Sequence, residues 1–377
     1  MDKQAHAREL LSFLLVSFLG TFAGQLVKAE TAIESYSETG SILLLSFFAS
    51  SYVLGRGIAA LVSGKIFDVR PKKAKIVMFI SFVFMGLISL LYALLDVPFY
   101  AILRLMSGIF AGFAWPIVQS MLLSISGEHE KSTNMSLYFV SGGIGSIVAY
   151  TVVGFLKGIF NILLAALLFM VAPMLIFCHK IKREEKSQKK RHALDQNMQV
   201  SVLTLGILSV ELGLISAMLA TDLIVGLLMS KGFTRTTLSI ILSTASTLGM
   251  IIGFPLSLVL ARIGDVRGSK KIIIALSAIF LISAFVFIES TLTILLVLSI
   301  SAIKIVQLSF RPILTALAKT SKTTGIRVGI VNSVHNISTM VLSIDIGYLL
   351  EIQAVRYINI LTVAIFLCIL VSSKNWK

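Results

Sequence analysis

The chain has 377 residues, of which 56% are apolar and 14% are charged, and its mean hydropathy is +0.95. These values exclude a soluble globular protein and indicate an integral membrane protein. A formal net charge of +15 would suggest nucleic-acid binding in a soluble protein. Here the basic clusters lie on short loops without interleaved aromatic residues, so no nucleic-acid partner is expected.

Twelve apolar stretches follow one another along the chain, and at about twenty residues each is long enough to cross a bilayer as a helix. Such stretches differ from the short alternating strands of an outer-membrane barrel. The predicted spans are roughly 9–28, 41–64, 75–95, 98–124, 133–156, 159–179, 200–229, 236–260, 270–289, 291–318, 327–350 and 353–372. The first resembles a signal peptide, but no small-residue cleavage site follows it, so we expect an uncleaved helix.

Basic residues concentrate on one side of these spans. With the N-terminus placed inside, the inner segments hold 24 of the 33 lysines and arginines and the outer segments hold five. The positive-inside rule then predicts a protein of the plasma or inner membrane with both termini in the cytoplasm. Residues 179–199 are the only long charged stretch and form a cytoplasmic linker. This linker either binds anionic lipids or is a solvated loop that fixes orientation.

Three short landmarks recur in the same order in the two halves of the chain. The pairs begin at Asp68 and Asp265, at Trp115 and Arg311, and at Gly154 and Gly347, and are separated by 197, 196 and 193 residues. This pattern predicts an internal duplication, with a six-helix bundle in residues 1–178 and a second in 200–377. We expect the two bundles to be related by a pseudo-twofold axis along the membrane normal.

The loop between spans two and three, from Gly64 to Lys73, carries a known family pattern. Together with the twelve spans it resembles the major facilitator superfamily of secondary transporters, whose loop reads Gly-x-x-x-Asp-Arg/Lys-x-Gly-Arg/Lys-Arg/Lys. The residues that match are Gly64, Asp68, Lys72 and Lys73, and those that depart are Val69 and Pro71. The second copy keeps Asp265, Gly268 and Lys270 but has Ala261 in the first position. The resemblance covers essentially the whole chain.

This resemblance implies a cytoplasmic gate at the loop. Asp68 lies where span two leaves the bilayer, and a carboxylate there can accept hydrogen bonds from the free N–H groups that open a helix. The resemblance implies that the helix is span eleven; the alternative is a turn acid paired with Arg70 or Lys72. The predicted gate residues are Gly64, Asp68, Arg70, Lys72, Lys73, Asp265 and Arg267.

Charged residues inside spans are costly and are therefore functional candidates. Arg104 fits a family pattern, Arg-x-x-x-Gly, that the resemblance associates with proton-coupled transport. Lys304 and Arg311 share one face of span ten, and Glu211 and Asp222 share one face of span seven. Because spans one, four, seven and ten line the central cavity in this family, several of these side chains are expected to face it.

Two further polar features have open interpretations. Glu211 lies near the bilayer midplane, where burial favours its neutral form and a nearby cation its ionised form, as a proton-coupling group requires. The alternative is a buried structural pair, for example with Lys304. In span eleven, Asn332, His335 and Asn336 recur at spacings of three and four. They either contact solute and relay a proton through His335 or hydrogen-bond a neighbouring helix.

The sequence thus predicts a secondary active transporter that moves a small organic solute by alternating access, as a proton-coupled symporter or antiporter. Since cations slightly outnumber acids in the spans, the solute is expected to be anionic or zwitterionic. The alternatives are efflux of amphipathic drugs or metabolites by proton antiport, and a membrane sensor that keeps the fold without transport. The expected partners are the solute, protons and the lipid bilayer, for a monomer without cofactor, metal or catalytic residues.

Overall fold

The computed structural model describes residues 3–39, 42–127, 130–156, 158–177, 200–219, 231, 233, 235–319, 323–351 and 356–373. Within these ranges the chain forms twelve helices of at least 13 residues and no strand. The helices are α1 Lys3–Thr39, α2 Ile42–Val69, α3 Pro71–Leu91, α4 Tyr100–Ile125, α5 Lys131–Phe155, α6 Ile159–Val171, α7 Val202–Met218, α8 Arg235–Arg267, α9 Lys270–Glu289, α10 Thr293–Leu317, α11 Thr324–Glu351 and α12 Arg356–Ser373. The prediction of an all-α protein built from twelve helices is confirmed.

Short elements complete this order. A 3-10 turn, Val97–Phe99, precedes α4, and a four-residue helix, Met174–Phe177, follows α6. By length and composition alone, eight stretches of the described helices could cross a membrane. They are Ala7–Lys28, Pro71–Leu91, Val97–Ile125, Ile159–Phe177, Thr247–Arg267, Lys270–Glu289, Thr293–Leu317 and Arg356–Ser373.

The two copies of the signature loop reverse the chain by different means. Between α2 and α3 only Arg70 is non-helical, and Pro71 occupies the first position of α3, where its fixed φ suits a helix start and its missing N–H costs nothing. Between α8 and α9 the reversal uses Gly268 at φ +87°, a conformation that glycine adopts without steric cost. The departure from the family pattern at Pro71 therefore preserves a tight turn.

Close backbone packing joins matching helices in each half. A methyl group on Gly108 of α4 would lie 2.1 Å from the carbonyl oxygen of Tyr52 in α2. In the second half, a methyl group on Gly253 of α8 would lie 2.8 Å from a side-chain carbon of Leu308 in α10. Small residues allow such approaches where no hydrophobic effect drives helices together.

The chain divides into two compact units. The first joins Met1–Gly127, Leu137–Gln188 and Lys319–Ser333, and the second joins Glu128–Ser136, Lys189–Ala318 and Val334–Lys377. Helices α5 and α11 are thus each divided, since the first turns of α5 belong to the second unit and those of α11 to the first. The predicted bundle boundary at residues 179–199 lies outside the described residues.

Candidate functional site

Asp68 lies at the start of α11. Its Oδ1 accepts a hydrogen bond from the Gly325 N–H and its Oδ2 accepts one from the Ile326 N–H, both at 2.7 Å. These donors belong to the first turn of the helix, which has no internal acceptors for them and forms the positive end of the helix dipole. The carboxylate therefore caps α11 with two charge-assisted hydrogen bonds.

Glycines bring α2 and α11 into direct backbone contact beside this cap. A methyl group on Gly64 would lie 2.1 Å from the Gly325 carbonyl oxygen, and one on Gly329 would lie 2.6 Å from the Ala60 carbonyl oxygen. No side chain larger than hydrogen fits at Gly64 without moving a backbone. The basic residues Arg70, Lys72 and Lys73 are exposed around this contact.

A lysine adds a second contact in the same unit. Lys319 lies just before α11, and its Nζ donates to the carbonyl oxygen of Ser126, at the C-terminal end of α4, at 2.5 Å. A cation is favourable there because the last carbonyls of a helix carry partial negative charge. Sequence reasoning counted Lys319 only as an inner charge and missed this contact.

Asp265 makes a matching contact with α5. Its Oδ1 accepts a hydrogen bond from the Ser132 N–H, and its Oδ2 accepts bonds from the N–H and the hydroxyl of Thr133, all at 2.8 Å. Beside it, the hydroxyls of Ser136 and Ser257 lie 2.9 Å apart. The sequence indicated the second copy of the loop but did not indicate α5 as its partner. Arg267 is exposed.

Glu211 is 1% exposed and lies against α9. Its Oε2 accepts a hydrogen bond from the Ser277 hydroxyl at 2.9 Å. Within the described ranges no lysine or arginine nitrogen lies within 4.0 Å of its carboxylate. The structure therefore does not pair Glu211 with Lys304, and it places Glu211 against a helix outside the set expected around the cavity. Asp222, its predicted neighbour along span seven, lies outside the described residues.

A polar stripe on α10 contains Lys304, Gln307 and Arg311, all partly exposed. The Lys304 stem lies on Gly249 of α8, where an added methyl group would be 3.0 Å from the Lys304 Cβ. Among the described residues, no carboxylate lies within 4.0 Å of the Lys304 ammonium. Gln307 Nε2 donates to the Ser216 hydroxyl of α7 at 2.8 Å. Sequence reasoning missed Gln307, although its position between the two cations was a usable signal.

Arg104 is held at the C-terminal half of α1. It is 7% exposed, and its guanidinium donates to the Thr31 hydroxyl at 2.6 Å and to the Lys28 carbonyl at 3.3 Å. The guanidinium carbon lies 5.8 Å from the centre of the Tyr92 ring. These partners are neutral, and the buried Nε has no hydrogen-bond partner among the described residues.

The polar residues of α11 divide between the two units. In the first, the Asn332 amide donates to Gln119 Oε1 at 2.8 Å and to the Val328 carbonyl at 2.9 Å, so it hydrogen-bonds a neighbouring helix. In the second, His335 and Asn336 are buried, and the His335 carbonyl accepts the Thr339 hydroxyl at 2.8 Å. A methyl group on Gly213 of α7 would lie 3.1 Å from that same carbonyl oxygen.

Solved structures with a similar fold are transporters. A bacterial homologue of the iron transporter ferroportin, in its outward-facing state, has a TM-score of 0.75 at 15% identity, with 98% of this chain and 99% of that chain covered. The human organic anion transporter MFSD10 (TETRAN) has a TM-score of 0.74 at 12% identity and the same coverage. A variant of the Escherichia coli fucose:proton symporter FucP has a TM-score of 0.68 at 13% identity, with 98% of each chain covered. At these identities the likeness concerns the fold alone.

The sequence comparison gives the family. No curated protein matches the sequence. The sequence profile of the Major Facilitator Superfamily matches residues 10–230, which is more than half of the chain. This match, together with the apolar helices and the transporter fold, identifies the family of the chain. The chain belongs to the major facilitator superfamily, and it is an integral membrane protein and a secondary transporter rather than an enzyme.

Proposed function

We propose that this transporter moves a small organic anion by alternating access and couples the movement to protons. The observation that carries the proposal is Lys304, a half-buried cation within a helix long and apolar enough to cross the bilayer. Among the described residues no carboxylate lies within 4.0 Å of its ammonium. A charge in this position is expensive unless a counter-ion reaches it. An anionic solute is the counter-ion that a transporter supplies.

Arg104 supports the same solute charge. It is a second buried cation whose hydrogen-bond partners in the described ranges are neutral. Among the described residues, neither Arg104 nor Lys304 therefore has a carboxylate within 4.0 Å to balance its charge. This imbalance favours an anion over an amphipathic cation.

The coupling ion is assigned from Glu211. A buried carboxylate that accepts one hydroxyl hydrogen bond and has no cation beside it is costly while ionised. Binding a proton removes that charge. The free energy of burying Glu211 is therefore lower when it is protonated, so protonation favours the conformation in which it is buried. Helix α7, which carries Glu211, also contacts α10 through Ser216 and Gln307. A change at Glu211 can therefore reach the helix that carries Lys304.

The gate in this mechanism consists of the two aspartate caps. Asp68 with Gly64 caps and contacts α11, and Asp265 caps α5. Opening the cytoplasmic side would require both caps to separate from their helices. The exposed basic residues Arg70, Lys72, Lys73 and Arg267 follow the two aspartates in sequence.

The proteins of similar fold are compatible with this assignment. Their names include an organic anion transporter and a fucose:proton symporter, so the fold accommodates both the solute charge and the coupling ion proposed. Their low identity transfers neither property to this chain, and the assignment depends on Lys304 and Glu211.

The test is uptake into proteoliposomes with and without a pH gradient. The panel should contain monocarboxylates, dicarboxylates, organic phosphates, neutral sugars and amphipathic cations. Lys304→Met should abolish anion uptake and Lys304→Arg should retain part of it, whereas Lys271→Met, at an exposed lysine of α9, should have no effect. Glu211→Gln should remove the gradient dependence, and Glu289→Gln at the exposed end of α9 should leave it unchanged.

Three outcomes would contradict the proposal. Gradient-driven uptake unchanged by Glu211→Gln would exclude the proton role. Expulsion of amphipathic cations without anion transport would indicate multidrug efflux. No flux across the whole panel would favour a sensor that has kept the transporter fold.

A further inference from the structure

One polar side chain on α10 keeps hydrogen-bonding capacity beyond its contact with α7. Gln307 follows Lys304 by one helical turn and is partly exposed. A carboxamide in a membrane span is costly unless its hydrogen-bonding groups are used. From its surroundings we infer that Gln307 is a specificity-determining residue that recognises a hydroxyl group on the transported anion. This inference rests on the proposed function, because it places the recognised hydroxyl next to the charge that Lys304 holds.

The spacing on the helix places the two groups side by side. Residues three apart in an α-helix are separated by about 4.5 Å along the axis and share a face. Both side chains are partly exposed, so a molecule that reaches one can reach the other. A solute bound at Lys304 through its carboxylate would therefore present a substituent on a nearby carbon to Gln307.

The hydrogen-bond capacity of Gln307 matches a hydroxyl. A carboxamide has two N–H donors and a carbonyl oxygen with two lone pairs. One donor goes to the Ser216 hydroxyl at 2.8 Å, and this bond fixes the plane of the amide. Among the described residues no partner is seen for the other donor or for the carbonyl oxygen, which remain for the solute. A hydroxyl can accept from the donor or donate to the carbonyl, whereas a methylene group can do neither.

The surrounding packing holds the stripe in place. The Ser301 hydroxyl, one turn before Lys304, donates to the Ala245 carbonyl of α8 at 3.1 Å. Gly249 and Gly253 of α8 give close contact with Lys304 and Leu308. Helix α10 is therefore anchored on both sides of Gln307, and anchored side chains discriminate better than mobile ones. The inferred solute class is a hydroxylated organic anion.

The experiment compares matched pairs of anions that differ by one hydroxyl. Uptake of lactate against propionate, and of malate against succinate, should be measured in proteoliposomes with the full-length protein. We expect the wild type to prefer the hydroxylated member of at least one pair. In Gln307→Met, the KM for that member should rise by about tenfold or more, because the lost bond is made only with the hydroxyl. The KM for the deoxy member should change much less.

A second variant separates recognition from packing. Ser216→Ala removes the bond that orients the amide but leaves the amide in place, so it should reduce the preference less than Gln307→Met does. An equal loss for both members of a pair in Gln307→Met would assign the residue to packing and overturn the inference. So would a wild type without preference in either pair.

Lys304→Met, assayed in parallel, distinguishes the two proposals. If it abolishes uptake while Gln307→Met leaves the preference unchanged, only the hydroxyl inference fails. If Lys304→Met transports anions normally, the proposed function fails at its own residue. If the wild type transports no member of either pair, both proposals fail for these solutes.

Discussion

The two copies of the signature loop make the same contact with different surroundings. Asp68 caps α11 with two hydrogen bonds, beside a seam in which the backbones of Gly64 and Gly325 touch. Asp265 caps α5 with three hydrogen bonds, because Thr133 adds its hydroxyl, and its neighbouring contact is a serine pair. The first contact therefore includes a backbone seam and the second a pair of serines. Both copies keep the cap, and the packing beside it differs.

This difference predicts which substitutions each contact tolerates. A buried residue in each capped helix can report opening: Val328 in α11 and Met135 in α5 are both 0% exposed. Each can be changed to cysteine in a chain whose Cys178 and Cys368 are replaced by serine. Labelling by a membrane-impermeant maleimide, applied to each side of the membrane in turn, then measures how often each contact opens.

The largest effect is expected for Gly64→Ala. The added methyl group would lie 2.1 Å from the Gly325 carbonyl oxygen, and both partners are backbone that cannot rotate away. Overpacking of this kind costs about 1–3 kcal/mol, so labelling at Val328→Cys should rise by about tenfold to a hundredfold. The reciprocal Ala261→Gly in the second copy should change labelling at Met135→Cys little. Equal effects of the two variants would mean that the seams do not differ.

Removing the charge of either aspartate should have the next largest effect. Asn at position 68 or 265 cannot accept charge-assisted bonds with both oxygens, and such bonds contribute about 1.5–3 kcal/mol. Asp68→Asn should increase labelling at Val328→Cys, and Asp265→Asn should increase labelling at Met135→Cys, each by about tenfold. If either variant increases labelling at both reporter cysteines to the same degree, the two contacts open together. Labelling unchanged by Asp68→Asn would reject a gate role for Asp68.

Lys319→Met tests the lysine contact described in the first unit. The lysine lies at the C-terminal end of α4, where a cation stabilises a helix by about 0.3–1 kcal/mol. Labelling at Val328→Cys should rise by about twofold to fivefold and be partly restored by Lys319→Arg. A change at Met135→Cys instead would show that the effect is not local to the Ser126 carbonyl.

Moving the threonine hydroxyl from one copy to the other gives a sharper comparison. Thr133→Val removes only the hydroxyl bond to Asp265, which contributes about 1 kcal/mol, and should increase labelling at Met135→Cys by about fivefold. Ile326→Thr places a hydroxyl at the matching position of α11 and should decrease labelling at Val328→Cys. If Ile326→Thr does not decrease labelling at Val328→Cys, the two caps are not interchangeable.

The smallest effect is expected for Ser257→Ala. The hydrogen bond between Ser257 and Ser136 is neutral, and Ser257 also donates to the Phe254 carbonyl. Its loss should cost about 0.5 kcal/mol, the low end for a neutral hydrogen bond, and raise labelling at Met135→Cys by about twofold. A larger effect than that of Asp265→Asn would show that the serines, not the aspartate, hold α5.

Part of the candidate site could be predicted from sequence because its signals are local. The cap by Asp68 follows from a carboxylate placed at the end of an apolar span, combined with the family resemblance. The partner of Asp265 carries no local signal, since Ser132 and Thr133 open α5 more than 130 residues earlier. Gln307 was missed although it lies between two cations in sequence, and its bond to Ser216, which lies 91 residues away, carries no local signal.

The spacing of charged residues along the sequence does not predict their surroundings either. Glu211 and Lys304 both lie in spans expected to line a cavity, yet the carboxylate of Glu211 turns to Ser277 of α9 and Lys304 lies on Gly249 of α8. Helical periodicity gives the angle between residues of one helix. It does not give the rotation of that helix against its neighbours.

The sequence by itself determined the membrane class, the order of twelve helices, the cytoplasmic termini as an expectation, and the family resemblance. These follow from hydropathy, charge distribution and a local motif, which depend on the chain alone. Only the tertiary structure decided that α5 and α11 are each divided between two compact units, that Glu211 lacks a cation within 4.0 Å among the described residues, and that Gln307 lies beside Ser216. Those facts depend on how helices distant in sequence pack, and close packing is set by all the side chains at an interface together.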